Sequence, residues 1–385
     1  MRINVTGCCL IDYIHDNVRY GSANFSRYLS RNEGDGGITP GKLVFEDVFR
    51  TFSGESPAEA LPRMTGTGSS AMVNLGGPAV VAAVHASQVL DPDTCHVSFY
   101  GGHGRDEAGK LIAGFLQKTP VRYEHTELPG NTPVTYVFSD PTWNGGNGER
   151  AFLGVLGTSA LYEPKHLGGG FFEADINVWG GTALVPGLHS RLSSLLKKGR
   201  ASGAIQVVTT VYDFINQRKS ENALWPMGDG DEAYRFIDLL ICDQEEALRL
   251  SGTGDPRAAV SRFIDMGAGA VVITRGHRDV VFASSGSRFV SSGIRQMPVS
   301  AYAIKRLRDS PESAGDTTGC GDNFAGGVIA GLALQMVGGN ADLDLRQALG
   351  HGIAAGGFAC FYVGGTWIER EPGEKKRAIE PYYNR

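Results

Sequence analysis

Short β-branched runs alternate with stretches of helical spacing along most of this chain, and that alternation restricts its fold more than any other feature. Ile3–Cys8, Val97–Tyr100, Ile176–Trp179, Ile205–Val211, Leu239–Cys242 and Val271–Thr274 read as buried strands. Ala79–Leu90, Asp106–Leu116, Leu188–Lys198, Gln244–Leu250 and Pro256–Met266 read as helices between them. Strands joined through helices pair in parallel, and a parallel sheet needs cover on both faces. The expectation is an α/β fold, with a mostly parallel central sheet between two helical layers. Two regions break the rhythm. Tyr13 to Ser70 is rich in Gly, Ser and charge, and Thr132–Asp140 and Arg150–Val155 alternate around a Gly/Asn loop. Both are expected to belong to a small β-rich lid. The chain then reads as one domain over 1–385, with lid segments within 13–70 and 132–155.

Bulk properties exclude several classes. The 385 residues carry a net charge of −5, without the strong basic bias of a nucleic-acid binder. Six scattered cysteines form no CxxC, which argues against a structural zinc site and fits reduced thiols in a cytoplasmic protein. The opening MRINVTGCCLIDY is too short and polar for a signal peptide, and no run is long enough for a membrane span.

The chemistry concentrates at DTTGCGDNFAGGVIAGLALQM, Asp316 to Met336. Glycines before a helix let its first N–H groups converge on an anion, helped by the positive end of the helix. Gly319, Cys320 and Gly321 stand at that point. Phe324, Val328, Ile329 and Leu332 recur at helical spacing and would anchor the helix in the core. Asp322 suits either a helix cap or a general base beside an anion hole.

The stretch resembles the C-terminal signature of the PfkB/ribokinase family of carbohydrate and nucleoside kinases, with Cys320 where the family has Ala or Gly. The resemblance implies a ribokinase-like three-layer α/β/α sandwich with a lid. It implies Asp322 as the base, the Gly319–Gly321 backbone as the anion hole, and Asp316 and Thr318 as a site for a monovalent cation such as K⁺. Other segments match in chain order. Asp12, after Val5-Thr6-Gly7, stands where the family binds sugar. Gly76 and Gly77 match the glycine pair that admits substrate hydroxyls; Val81 stands where the family has Asn. Glu149, in Gly148-Glu149-Arg150, matches a sugar-contacting Glu. Asn216 and Arg218 lie in a segment, Asp213 to Arg218 followed by Leu224-Trp225, similar to the family's D-x-N-x-R…L-W region; Arg218 suits a substrate anion or a surface carboxylate. Asp243 and Glu246 resemble the N-x-x-E pair near Mg²⁺ and the phosphates, and also spell a capping box. Thr274 and Gly276 resemble a turn under the nucleotide phosphates, and His351 lies on the helix that lines adenine in relatives. The implied cofactors are ATP and Mg²⁺. The implied partner is a small sugar or nucleoside, with lids pairing two subunits into a homodimer.

The expected activity is ATP-dependent phosphorylation of a sugar or sugar-acid hydroxyl. A nucleoside kinase and a non-catalytic binding protein on the same fold are the alternatives. A dinucleotide-dependent oxidoreductase is disfavoured, because no GxGxxG follows the first strand.

Overall fold

The structure is a computed structural model that describes residues 1–32, 34–66, 71–146, 148–220 and 223–384. Its strands are β1 (Arg2–Gly7), β2 (Leu10–His15), β3 (Leu43–Phe45), β4 (Met72–Gly76), β5 (His96–His103), β6 (Arg122–Glu127), β7 (Val134–Asp140) and β8 (Glu149–Val155). They continue as β9 (Ile176–Gly180), β10 (Ile205–Thr209), β11 (Leu239–Asp243), β12 (Ala270–Arg275), β13 (Arg278–Ser284) and β14 (Ser292–Met297). The main sheet runs β14-β13-β12-β11-β10-β9-β1-β5-β6, parallel except for the β12–β13 and β13–β14 pairs. This is the expected α/β architecture, with an antiparallel edge at β13 and β14 that the strand–helix rhythm did not reveal.

Alternation along the strands builds two cores. Val178, Val207, Ile241 and Val272 face one helical layer, while Trp179, Val208, Cys242 and Ile273 face the other. The helix Cys320–Val337 lies in the first layer, packed against Pro78–Val89 and Leu345–Ala359. Contact at Gly327 and Gly331 is tight: a Cβ at Gly327 would meet the His351 carbonyl oxygen at 2.5 Å. The expected helix Leu188–Lys198 is instead two, Pro186–His189 and Leu192–Ala201, because Arg191 has φ −132° and ψ 16°.

The second sheet, β3-β8-β7-β2-β4, forms the lid. Its strands come from four separate segments, including β4, just beyond the expected lid span. The stretch between Tyr13 and Ser70 carries three helices, Ala23–Ser26, Glu46–Ser53 and Pro57–Thr65, besides β3; residues 67–70 at its end lie outside the described residues. Ser56 starts the last helix through a capping box with Glu59. These helices place Phe25, Phe49, Ala60 and Met64 against Phe138, Ala151 and Leu153 on one lid face. The 13–70 stretch, an insertion in the strand–helix rhythm, thus covers that face within one chain.

Candidate active site

The other lid face carries Asp12. Cross-strand register puts Asp12 beside Asn74 on β4 and Thr135 on β7. Its side chain is buried, and a Cβ on Gly76 would meet its Oδ2 at 2.1 Å, so only glycine fits there. Gly77 has φ 104° and no room for a Cβ against the Cys8 carbonyl. Burial raises the Asp12 carboxyl to about 8, and the charges of Asp322 and Asp316 push the same way. Asp12 is therefore protonated at neutral pH and able both to donate to and to accept from a hydroxyl.

Facing it is the loop Asp316–Asp322. Gly319 caps the helix Cys320–Val337 in the left-handed region, at φ 73°. A Cβ there would sit 2.5 Å from Gly365 Cα, whereas at Gly321 it would meet nothing within 4 Å. The loop is closed on its buried side and open at Gly321. The Cys320 thiol turns toward Cys360, with Sγ–Sγ 3.6 Å. Asp322 is half-buried in the first helical turn, and burial lifts its carboxyl to about 6. A base with that pKa is mostly ionised at neutral pH yet still basic enough to accept a proton.

Two asparagines fix this loop. Asn323 donates to the carbonyls of Gly319 and Gly365, both at 2.9 Å. Asn74 accepts from Thr366 N–H and donates to Thr366 O, each at 3.0 Å, and Thr366 Oγ1 donates to Leu75 O at 2.7 Å. The segment around Gly364–Gly365 therefore ties the Asp316–Asp322 loop to the Gly76–Gly77 strand. Val81 is buried against Gly365 and is part of that joint.

Arg150 reaches the loop from β8. It donates through Nη2 to Thr317 Oγ1 at 2.6 Å and through Nη1 to Thr318 Oγ1, and lies 3.6 Å from Asp316 Oδ2. Asp316 Oδ1 accepts from Thr318 N–H at 2.9 Å. The side-chain oxygens of Asp316 and Thr318 thus already face a fixed cation. Glu149 pairs with Asp140 across β7–β8 while Arg150 pairs with Ser139, so neighbours on one strand point to opposite faces. Glu149 is exposed, near Gly41 in the insertion.

Asp243 and Glu246 open the helix Gln244–Ser251 with a full capping box. Glu246 is buried, accepts from Thr210 Oγ1 at 2.5 Å, and is raised to about 8, chiefly by burial and then by Asp243. Asp243 is exposed and pairs in register with Thr274 at the strand ends; Gly276, at φ 62°, turns the chain into β13. Asp243, Glu246 and Thr274 sit together at these strand ends, and Asp322's charge acts on both Asp12 and Glu246. His351 Nδ1 bonds Tyr383 Oη at 2.8 Å, and its ring packs against Gly331 of the neighbouring helix. Arg218 is engaged by Asp47 of the insertion at 2.9 Å, and Asn216 bonds its own cap, Asp213.

A family model described as "pfkB family carbohydrate kinase" matches residues 52–369. The chain belongs to this family. Among curated proteins, the ATP-dependent 6-phosphofructokinase of Thermoanaerobacterium thermosaccharolyticum is 26% identical over 146 residues, 37% of this chain and 38% of that one. The chain therefore matches well under half the length of that relative. Among solved structures, adenosine kinase from Schistosoma mansoni in complex with 2-fluoroadenosine has a TM-score of 0.72 at 16% identity, covering 96% of this chain and 97% of that one. Ribokinase from Thermotoga maritima has a TM-score of 0.63 at 14% identity, covering 99% of each chain. At those identities the likeness shows the fold, and that fold is ribokinase-like, as the resemblance implied.

The pfkB signature pointed to the loop but not to what lies beneath it. Lys375 is buried and donates to Gln88 Oε1 at 3.0 Å and Asn323 Oδ1 at 3.2 Å. Asn323 Oδ1 also lies 3.1 Å from His85 Nδ1. With Oδ1 held by Lys375, the Asn323 amide can present only Nδ2 to the two glycine carbonyls. Burial lowers the Lys375 ammonium to about 7, against the charge of Glu369. Between that value and the unfolded 10.5, the unfolded chain binds a proton the native chain lacks, so stability rises with pH. Relative to Lys375→Met, the wild type should gain about 2 kcal/mol between pH 7 and pH 9 in denaturant titrations. Equal pH slopes for the two proteins would contradict the burial of this amine.

Proposed function

We propose that this pfkB-family protein transfers the γ-phosphoryl group of ATP to a hydroxyl of a small sugar or sugar acid. The observation that carries the reading is the half-buried Asp322, raised to about 6, at the open mouth of a glycine-walled helix N-terminus. Asp12 and the Gly76–Gly77 backbone orient the acceptor, whose ring can approach where no side chain intrudes. Asp322 takes the proton as the hydroxyl attacks phosphorus. The Gly319–Gly321 amides and Arg150 stabilise the charge on the transferring group, which is most of what such a reaction requires.

No group of three or more His, Cys, Asp or Glu among the described residues is arranged to hold a metal by itself. That fits Mg²⁺, which keeps waters and binds mainly through substrate phosphates. Mg²⁺ brought with ATP would neutralise phosphate charge, and Asp243 and Glu246 would hold its waters. Thr274 and Gly276 lie beside them for the nucleotide phosphates. The side-chain oxygens of Asp316 and Thr318 do not fit a monovalent ion while Arg150 occupies them, and no step here uses K⁺. No helix among the described residues is long and apolar enough to cross a membrane. Cytoplasmic location and a homodimer rest on sequence reading and family resemblance.

The test is ADP formation from Mg·ATP across sugars, sugar acids and nucleosides, with and without K⁺. Turnover of a sugar or sugar acid, unaffected by K⁺, is expected. Turnover of nucleosides alone would move the protein to the nucleoside-kinase reading. ATP binding with no acceptor turned over would favour a binding protein.

A further inference from the structure

Six cysteines are present and none is bonded to another, yet two of them touch. Cys320 opens the helix at the anion loop, and Cys360 caps the end of Leu345–Ala359. Their sulfurs are 3.6 Å apart, and both residues are half-buried, while Cys8, Cys9, Cys95 and Cys242 are buried. The backbones around the pair are already zippered: Gly315 N–H donates to Cys360 O at 2.8 Å and Asp316 N–H to Tyr362 O at 3.1 Å. A bridge therefore needs closure of the sulfurs by only about 1.5 Å, to the usual bond length of about 2.05 Å.

We propose that Cys320 and Cys360 form a dithiol modification site whose disulfide switches off the anion loop. The reaction partner is a small disulfide such as oxidised glutathione. The Cys360 thiolate attacks one of its sulfurs and expels a glutathione thiolate, leaving a mixed disulfide. Cys320 Sγ then attacks the Cys360 sulfur and expels the second glutathione thiolate. The two cysteine protons go to the two glutathiones, so two protein thiols are oxidised and one small disulfide is reduced. Cys360 is the better nucleophile: the Cys320 thiol hydrogen-bonds it, holding Cys360 below the ordinary thiol range and Cys320 above its own.

The consequence follows from position. Cys320 lies between Gly319 and Gly321, and drawing its sulfur toward Cys360 pulls the first helical turn with it. Gly319 cannot follow freely, because Gly365 is packed against it. A displacement on the order of 1 Å at a positioning element costs roughly 10²-fold in rate. This effect on function rests on the phosphate-loop reading above; formation of the bond does not.

The full chain would be incubated with oxidised glutathione, alkylated and mapped by peptide mass, with activity and ATP affinity measured on the same samples. A Cys320–Cys360 linked peptide is expected, together with a tenfold or greater loss of turnover and a several-fold weaker ATP affinity, both restored by dithiothreitol. The Cys360→Ser variant should start at wild-type activity and keep it under the same oxidant. No linked peptide, or a linked peptide with unchanged turnover and ATP affinity, would overturn the proposal. So would equal oxidative loss in Cys360→Ser. If no acceptor is found at all, the kinase reading fails, while the peptide map and the ATP affinity still decide this site.

Discussion

Asp322→Asn should lower turnover roughly 10²–10⁴-fold, the range expected for removing a positioned general base. Asn keeps the shape and the hydrogen-bonding reach of Asp but cannot accept the proton. The loop beneath it is held by Asn323, Gly319 and Gly365, none of which depends on the Asp322 charge, so Mg·ATP affinity should change little. The pH profile adds a second reading. Wild-type kcat/KM should fall as pH drops through about 6, because protonated Asp322 cannot take the hydroxyl proton. The residual activity of the Asn variant should lack that limb. Asp12→Asn should retain it, since Asp12, at about 8, is already protonated where Asp322 titrates. A wild-type rate in Asp322→Asn would remove the base from the mechanism.

Arg150→Met should cost roughly 10²-fold in kcat, comparable to losing one donor of an oxyanion hole. The guanidinium bridges lid and loop: it holds Thr317 and Thr318 and offsets Asp316. Met preserves most of the packing against Phe152 without the charge. Arg150→Lys should recover only part of the loss, because an ammonium cannot hold both threonines in a planar fork. A KM effect confined to the acceptor, with kcat intact, would place Arg150 in lid closure alone.

The sequence was most informative where one local pattern has one structural solution. Strand–helix alternation was enough for the parallel core, and glycines ahead of an apolar helix marked the turn into Cys320–Val337. Gly76 and Gly319 turned out to be spaces that no side chain can fill. Legibility ended where partners lie far apart in the chain. Asn74 meets Thr366, and Lys375 meets Asn323, across separations that no periodicity encodes. Arg150 was passed over for Glu149 because a strand's facing cannot be fixed until its neighbours are known; the register against β7 decides it. The insertion read as part of a β-rich lid, without its helices, because these are short and amphipathic and their apolar side packs against the lid sheet.

Labelled ATP would give the most direct test: transfer of its γ-phosphoryl group to an acceptor, with the product identified by mass, in wild type and Asp322→Asn side by side. The account predicts a phosphorylated sugar or sugar acid from the wild type and almost none from the variant. Label released only as inorganic phosphate, or equal product from both proteins, would contradict it.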